Sequence, residues 1–145
     1  MTDAALRISL VAADFNKEIV EAMIAAAIAE AKSLGAEIIS VLRVAGSYEM
    51  PLIADAELAR DTVDGLVVLA YIERGETMHG EIMGHVVEHA LLQLELTYKK
   101  PIGMGIIGPG ATLEQARERK EGYARAAVRA LVSNARLLRE RRGES

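Results

Sequence analysis

The run Leu66-Val67-Val68-Leu69-Ala70-Tyr71-Ile72 carries no charge and no helical period, and a turn at 61–65 precedes it. An uninterrupted apolar run of this length, rich in branched side chains, marks a strand buried on both faces, as in a parallel sheet. Glu73-Arg74-Gly75-Glu76 reads as the loop that leaves it. The period then changes: Ile82, Met83, Val86, Val87, Ala90 and Leu91 fall on one helical face, predicting a long helix from Thr77 to Thr97.

Working outward, the same alternation recurs. Upstream, Leu6 to Ala12 is β-rich, and a helix begins at Lys17 with Asn16 as its cap and Gly35 as its stop. Ala36 to Val44 is a second strand, and Glu49 to Arg60 a second helix with Pro51 tolerated in its first turn. Downstream, Pro101 to Ile107 is a fourth strand, followed by a Gly108-Pro109-Gly110 turn. Thr112 then opens the last helix, with Gln115 completing a capping box and Gly122 placed to kink it before it ends near Arg141. Strand then helix, four times over, predicts an α/β fold: a three-layer α/β/α sandwich around a four-stranded parallel sheet, flavodoxin-like. Residues 1–145 form one domain on this reading, with 136–145 as a frayed tail.

Composition narrows the function classes. Hydrophobic residues are 51% of the chain, yet there is no Trp and Phe15 is the only Phe, so aliphatic residues and Ala must build the core. A formal charge of -4 argues against a nucleic-acid partner, since such chains present a basic face. The cations at Arg136, Arg139, Arg141 and Arg142 complement a helix C-terminus. Without cysteine there is no disulfide, iron–sulfur cluster or thiolate zinc site. No stretch reads as a signal peptide or membrane span, and a cytoplasmic location is expected.

In an open parallel sheet ligands bind beyond the carboxyl ends of the strands. Those ends carry Phe15 and Asn16, then Gly46 to Glu49, then Tyr71 to His79, then Met104 to Thr112. Gly75-Glu76-Thr77 enters a helix, where free N–H groups and the dipole suit an anion, although a plain turn and cap would look the same. His79 in the next turn is either a proton carrier or a half-buried helical histidine. Phe15 either stacks on a flat ring or plugs the sheet end, and Glu49 either accepts from hydroxyls or favours a helix start. Arg119 either grips phosphate or is solvated. His85 and His89 have metal-ligand spacing but no third ligand, so no metal site is expected.

Taken together, Phe15-Asn16, Gly46-Ser47-Tyr48-Glu49-Met50-Pro51, Gly75-Glu76-Thr77-Met78-His79 and Gln115-Ala116-Arg117-Glu118-Arg119 resemble the lumazine synthase family from about Leu6 to Leu138. The Gly108-Pro109-Gly110 stretch is similar to its archaeal branch. The resemblance implies condensation of 5-amino-6-ribitylaminouracil with 3,4-dihydroxy-2-butanone 4-phosphate to 6,7-dimethyl-8-ribityllumazine, phosphate and water, in riboflavin biosynthesis, without metal or cofactor. It implies that Phe15 stacks on the pyrimidine, that Asn16, Ser47 and Glu49 hold the ribityl chain, and that Tyr48 also binds substrate. Tyr71 and Ile72 would line the ring pocket, while Gly75, Glu76 and Thr77 take the phosphate. His79 would move protons. Arg119 and Met104 would arrive from an adjacent subunit of a homo-oligomer, a pentamer or a multiple of one, with shell-forming members known in the family. Met104 stands where Phe is frequent, Tyr71 where a smaller residue is usual, and Arg125 falls near a second basic position. Three other readings share the fold. In a flavin-binding module the loop after the first strand should be rich in Ser, Thr and Gly, which Ala13 to Asn16 is not. A riboflavin synthase of the same fold would not need the Gly75 to His79 block. A shell protein with weakened activity would differ in the assay of the purified chain.

Overall fold

The computed structural model describes residues 4–143. Four strands, β1 (Arg7–Ala13), β2 (Glu37–Val44), β3 (Gly65–Glu73) and β4 (Ile102–Ala111), lie parallel in the order β2-β1-β3-β4. Four helices, α1 (Lys17–Ser33), α2 (Met50–Leu58), α3 (His79–Tyr98) and α4 (Leu113–Arg141), follow the strands in turn. A short 3-10 turn, Ser47–Glu49, precedes α2. The result is the expected α/β/α sandwich of flavodoxin-like order.

Strand alternation divides the core. Leu10, Val67, Leu69 and Tyr71 pack against α1 and α4, while Val11, Val68, Ala70 and Ile72 pack against α2 and α3. β3 is buried from Gly65 to Ile72, as its composition requires. β2 lies at the sheet edge and stays half-covered. Small residues set the layer spacing: a Cβ on Gly103 would come within 2.3 Å of the Ala127 carbonyl oxygen, so α4 rests on β4 at a distance only glycine permits.

Several boundaries differ from those read in the sequence, each for a local reason. Gly108-Pro109-Gly110 is not a turn but the last stretch of β4, where Ala111 still pairs with Glu73. A register shift between Tyr71 and Glu73 and positive φ at Gly108 (94°) and Gly110 (95°) accommodate the irregular stretch. Ile72 O occupies the place a Cβ on Gly108 would need. α3 starts at His79 instead of Thr77: Met78 is its cap, its carbonyl accepting from Ile82 (3.0 Å), and in the loop before it the Thr77 hydroxyl accepts the His79 N–H (3.3 Å). α4 runs through Gly122 without a break. Nor is its end frayed as far as it is described: residues 136–141 are helical, and Arg136 and Arg139 donate to Leu34 O (2.9 Å) and Ala4 O (2.7 Å). Residues 144–145 of that expected tail lie outside the described residues.

β1 lies between β2 and β3, so the chain leaves β1 toward one side of the sheet and later crosses to the other. The crevice between the loops after β1 and β3 is the switch point of such a sheet, where ligands bind. Phe15 lies on one bank and Tyr71 to His79 on the other.

Candidate active site

A recess of about 420 Å³ opens at this switch point. Phe15, Ser47, Ile72, Gly75, Thr77 and His79 line it, together with Tyr71, Arg74 and Met83. A second recess of about 450 Å³ adjoins it beyond Arg74, running under Glu76 and Met78 to Pro109.

Phe15 is 53% exposed, so it does not plug the sheet end; its ring forms an open wall. The bend that presents it follows from Asn16, which adopts the left-handed conformation (φ 59°, ψ 76°). Asparagine tolerates that region better than most residues. Asn16 caps α1 only through its carbonyl, which accepts from Ile19 and Val20 (both 3.2 Å); its side chain makes no cap bond, contrary to the sequence reading. Arg43 braces the loop from β2, donating to Asp14 Oδ1 (2.7 Å) and to Glu21. Those bonds, that to Glu21 foremost and then that to Asp14, raise the guanidinium above its ordinary pKa. Asp14 N–H donates in turn to Val44 O (2.8 Å).

Ser47 is buried at the mouth of the recess, whereas Tyr48 and Glu49 remain exposed on the 3-10 turn. The Tyr48 ring meets the His79 imidazole edge-on, with centroids 6.1 Å apart and planes at 62°. Aromatic pairs prefer this geometry, and it gives the imidazole a wall on one side.

Tyr71 borders the recess at the end of β3, but its ring does not face it as that of Phe15 does. Its ring is 1% exposed in the α1–α4 core, and its hydroxyl donates to Ala111 O (3.1 Å). Burial, and then the Glu73 charge, pushes the phenol above its ordinary pKa, which keeps the donor protonated. Ile72, on the other face, is the residue whose side chain packs toward α2 and α3 beside the recess. The large residue at position 71 therefore does not narrow the cavity.

Residues 73–79 are all exposed. Arg74 N–H donates to Ala111 O (2.9 Å), but among the described residues no acceptor meets the N–H groups of Gly75, Glu76 or Thr77. Free amides ahead of a twenty-residue helix are suited to an anion. The sequence reading pointed to this loop but passed over Arg74, which lines both recesses. An Arg directly before the loop glycine was the available signal.

Neither Met104 nor Arg119 lines either recess. Met104 is half-buried on β4, and Arg119 is exposed on α4, on the opposite side of the sheet from α3. Arg119 makes no ion pair among the described residues, whereas Arg117 two residues earlier is held by Glu18 (2.8 Å). Arg125 is exposed on the same helix. Among the described residues no cluster of three or more His, Cys, Asp or Glu is placed to hold a metal ion, and no helix is long and apolar enough to cross a membrane.

A family model described as 6,7-dimethyl-8-ribityllumazine synthase matches residues 5–139. Curated proteins of that name are similar over nearly the full chain. The one from Metallosphaera sedula is 42% identical over 96% of this chain and 92% of its own length. That from Staphylothermus marinus is 42% identical over 94% of this chain and 93% of its own. The Aeropyrum pernix protein is 41% identical over 96% and 95% respectively.

Proposed function

The chain belongs to the 6,7-dimethyl-8-ribityllumazine synthase family of riboflavin biosynthesis, and on that premise we propose that it joins 5-amino-6-ribitylaminouracil to 3,4-dihydroxy-2-butanone 4-phosphate. The observation that carries this reading is the convergence of an open aromatic wall, a histidine and a loop of unbonded amides on one recess at the sheet's switch point.

In this reading Phe15 stacks on the pyrimidine. The Asn16 side chain, free of its helix, joins Ser47 and Glu49 in binding the ribityl hydroxyls. The amides of Gly75, Glu76 and Thr77 receive the phosphate. Attack of the amine on the ketone carbon forms an imine and releases one water. Loss of phosphate follows, and closure of the ribitylamino nitrogen onto the remaining carbonyl releases a second water. Each step moves a proton to or from nitrogen, carbon or oxygen, and His79 carries it. The nucleophile and leaving group belong to the substrates, so no cofactor is required. Most of the acceleration then comes from holding the two substrates together, and His79 adds about 10²–10⁴-fold.

Arg119 lies on the other side of the chain from the recess. A neighbouring copy in a closed ring, a pentamer or a multiple of it, would bring Arg119 and Met104 to this opening. The test is a paired assay of the purified protein. Both substrates are mixed with it and lumazine absorbance and fluorescence are followed. Expected are lumazine formation, a kcat lowered about 10²-fold or more in His79→Ala, and a raised KM for the butanone phosphate in Arg119→Ser. Failure to form lumazine, or conversion of added lumazine to riboflavin instead, would overturn the reading.

A further inference from the structure

We propose that Arg74 binds the substrate phosphate from the same subunit, so that two arginines, Arg74 and the neighbour's copy of Arg119, grip it from opposite sides. The proposal rests on the reading of the site given above. Its ground is charge balance. Glu73, Glu76 and Glu81 line the two adjoining recesses, and Arg74 is the one lysine or arginine among the lining residues of either. A phosphate dianion placed on the amides of Gly75 to Thr77 would face three carboxylates of its own chain. Without Arg74 the nearest compensating charge would have to be supplied wholly by another subunit.

Two further observations fit Arg74 for the task. Its guanidinium is exposed and makes no ion pair among the described residues, although three glutamates lie within seven positions of it. Its backbone, by contrast, is fixed. The Ala111 carbonyl accepts both the Arg74 N–H (2.9 Å) and the buried Tyr71 hydroxyl (3.1 Å), using both lone pairs. The side chain thus starts from a point held at the end of β3, directly before Gly75. A planar fork held this way can meet two phosphate oxygens at once.

The test compares wild type with Arg74→Ala and Arg74→Lys, using inorganic phosphate as the calorimetric probe and the two substrates in steady-state assays. Arg74→Ala is expected to raise the Kd for inorganic phosphate and the KM for the butanone phosphate by about tenfold or more, the scale of a charged hydrogen bond. The KM for the pyrimidine and the assembled mass should not change. Arg74→Lys, which keeps the charge without the fork, should fall between. A Kd for inorganic phosphate, or a KM for the butanone phosphate, that is the same in Arg74→Ala as in wild type overturns the proposal. Calorimetry separates this from the reaction itself: a wild type that binds phosphate through Arg74 but forms no lumazine sinks only the proposed reaction, and one that binds no phosphate and forms no lumazine sinks both.

Discussion

Arg43 sits at the end of β2, yet its consequence falls on Phe15, on the loop after the neighbouring strand and twenty-eight positions back in sequence. By holding Asp14 and Glu21 it fixes the two ends of the bend that Asn16 makes. Arg43→Ala should therefore leave catalysis at saturation nearly unchanged while raising the KM for the pyrimidine about two- to fivefold, the range that partly exposed pairs support; steady-state kinetics with each substrate varied in turn would show it. A rise in the KM for the butanone phosphate alone would count against the assignment. Single residues of this kind were the least legible part of the sequence. Phe15, Gly75 and His79 could be picked out as the chain's one Phe, a glycine leading into a helix and a histidine in its first turn, and Thr77 through the block it shares with the last two. Arg43 and Arg74 could not, since an arginine at a strand or loop end reads equally well as a solvated charge. Tyr71 was assigned to the pocket through the resemblance; it does border the recess, but alternation along β3 turns its ring to the far face.

Among the elements, strands and helices were legible because their periods differ, and all eight lie where the alternation put them to within a few residues. The misreadings came from glycine, whose meaning depends on what lies beside it. Gly122 is exposed on α4, with nothing within 4 Å of an added Cβ, so it neither kinks the helix nor makes room for a neighbour. Gly122→Ala should stabilise the chain by about 0.5–1 kcal/mol. Gly103→Ala should do the reverse, by about 1–3 kcal/mol, because its Cβ would strike the Ala127 carbonyl. Parallel denaturant titrations would check both. A second element-level device is the clasp between Arg7, at the start of β1, and Asp64, before β3 (Nε–Oδ2 3.2 Å). Burial pushes the Asp64 carboxyl up, but the side-chain and backbone bonds from Arg7 outweigh it and leave the pKa below its ordinary value. A depressed carboxylate stabilises the fold above its unfolded pKa, near 4, and that stability is lost as pH falls through the lower folded value. Asp64→Asn should accordingly melt earlier than wild type at neutral pH, with the gap closing in acid; a gap independent of pH would contradict the clasp.

For the whole molecule, one chain carries two parts that do not meet. The recess with His79 opens on the side of α3, and Arg119 projects from α4 on the far side of the sheet. Along α3, moreover, Met78, Ile82, Val86, Leu92 and Leu96 stay exposed on one face, an apolar stripe of the sort helices bury against a partner. The sequence could carry this only through resemblance, because periodicity reports which face is apolar and not what covers it. A ring in which each recess takes its arginine from the next copy makes a quantitative claim about mixtures. His79→Ala and Arg119→Ser should each be impaired alone, the first in kcat and the second in use of the phosphate substrate. Unfolded together and refolded as one ring population, a recess is intact when its own chain keeps His79 and the adjacent chain keeps Arg119. For random equal mixing that holds at about one site in four, so activity should climb to roughly a quarter of wild type per chain. Each variant refolded alone would stay low. Recovery absent from mixed rings of normal mass, measured by light scattering beside the lumazine assay, would mean that His79 and Arg119 work within one chain or not together at all.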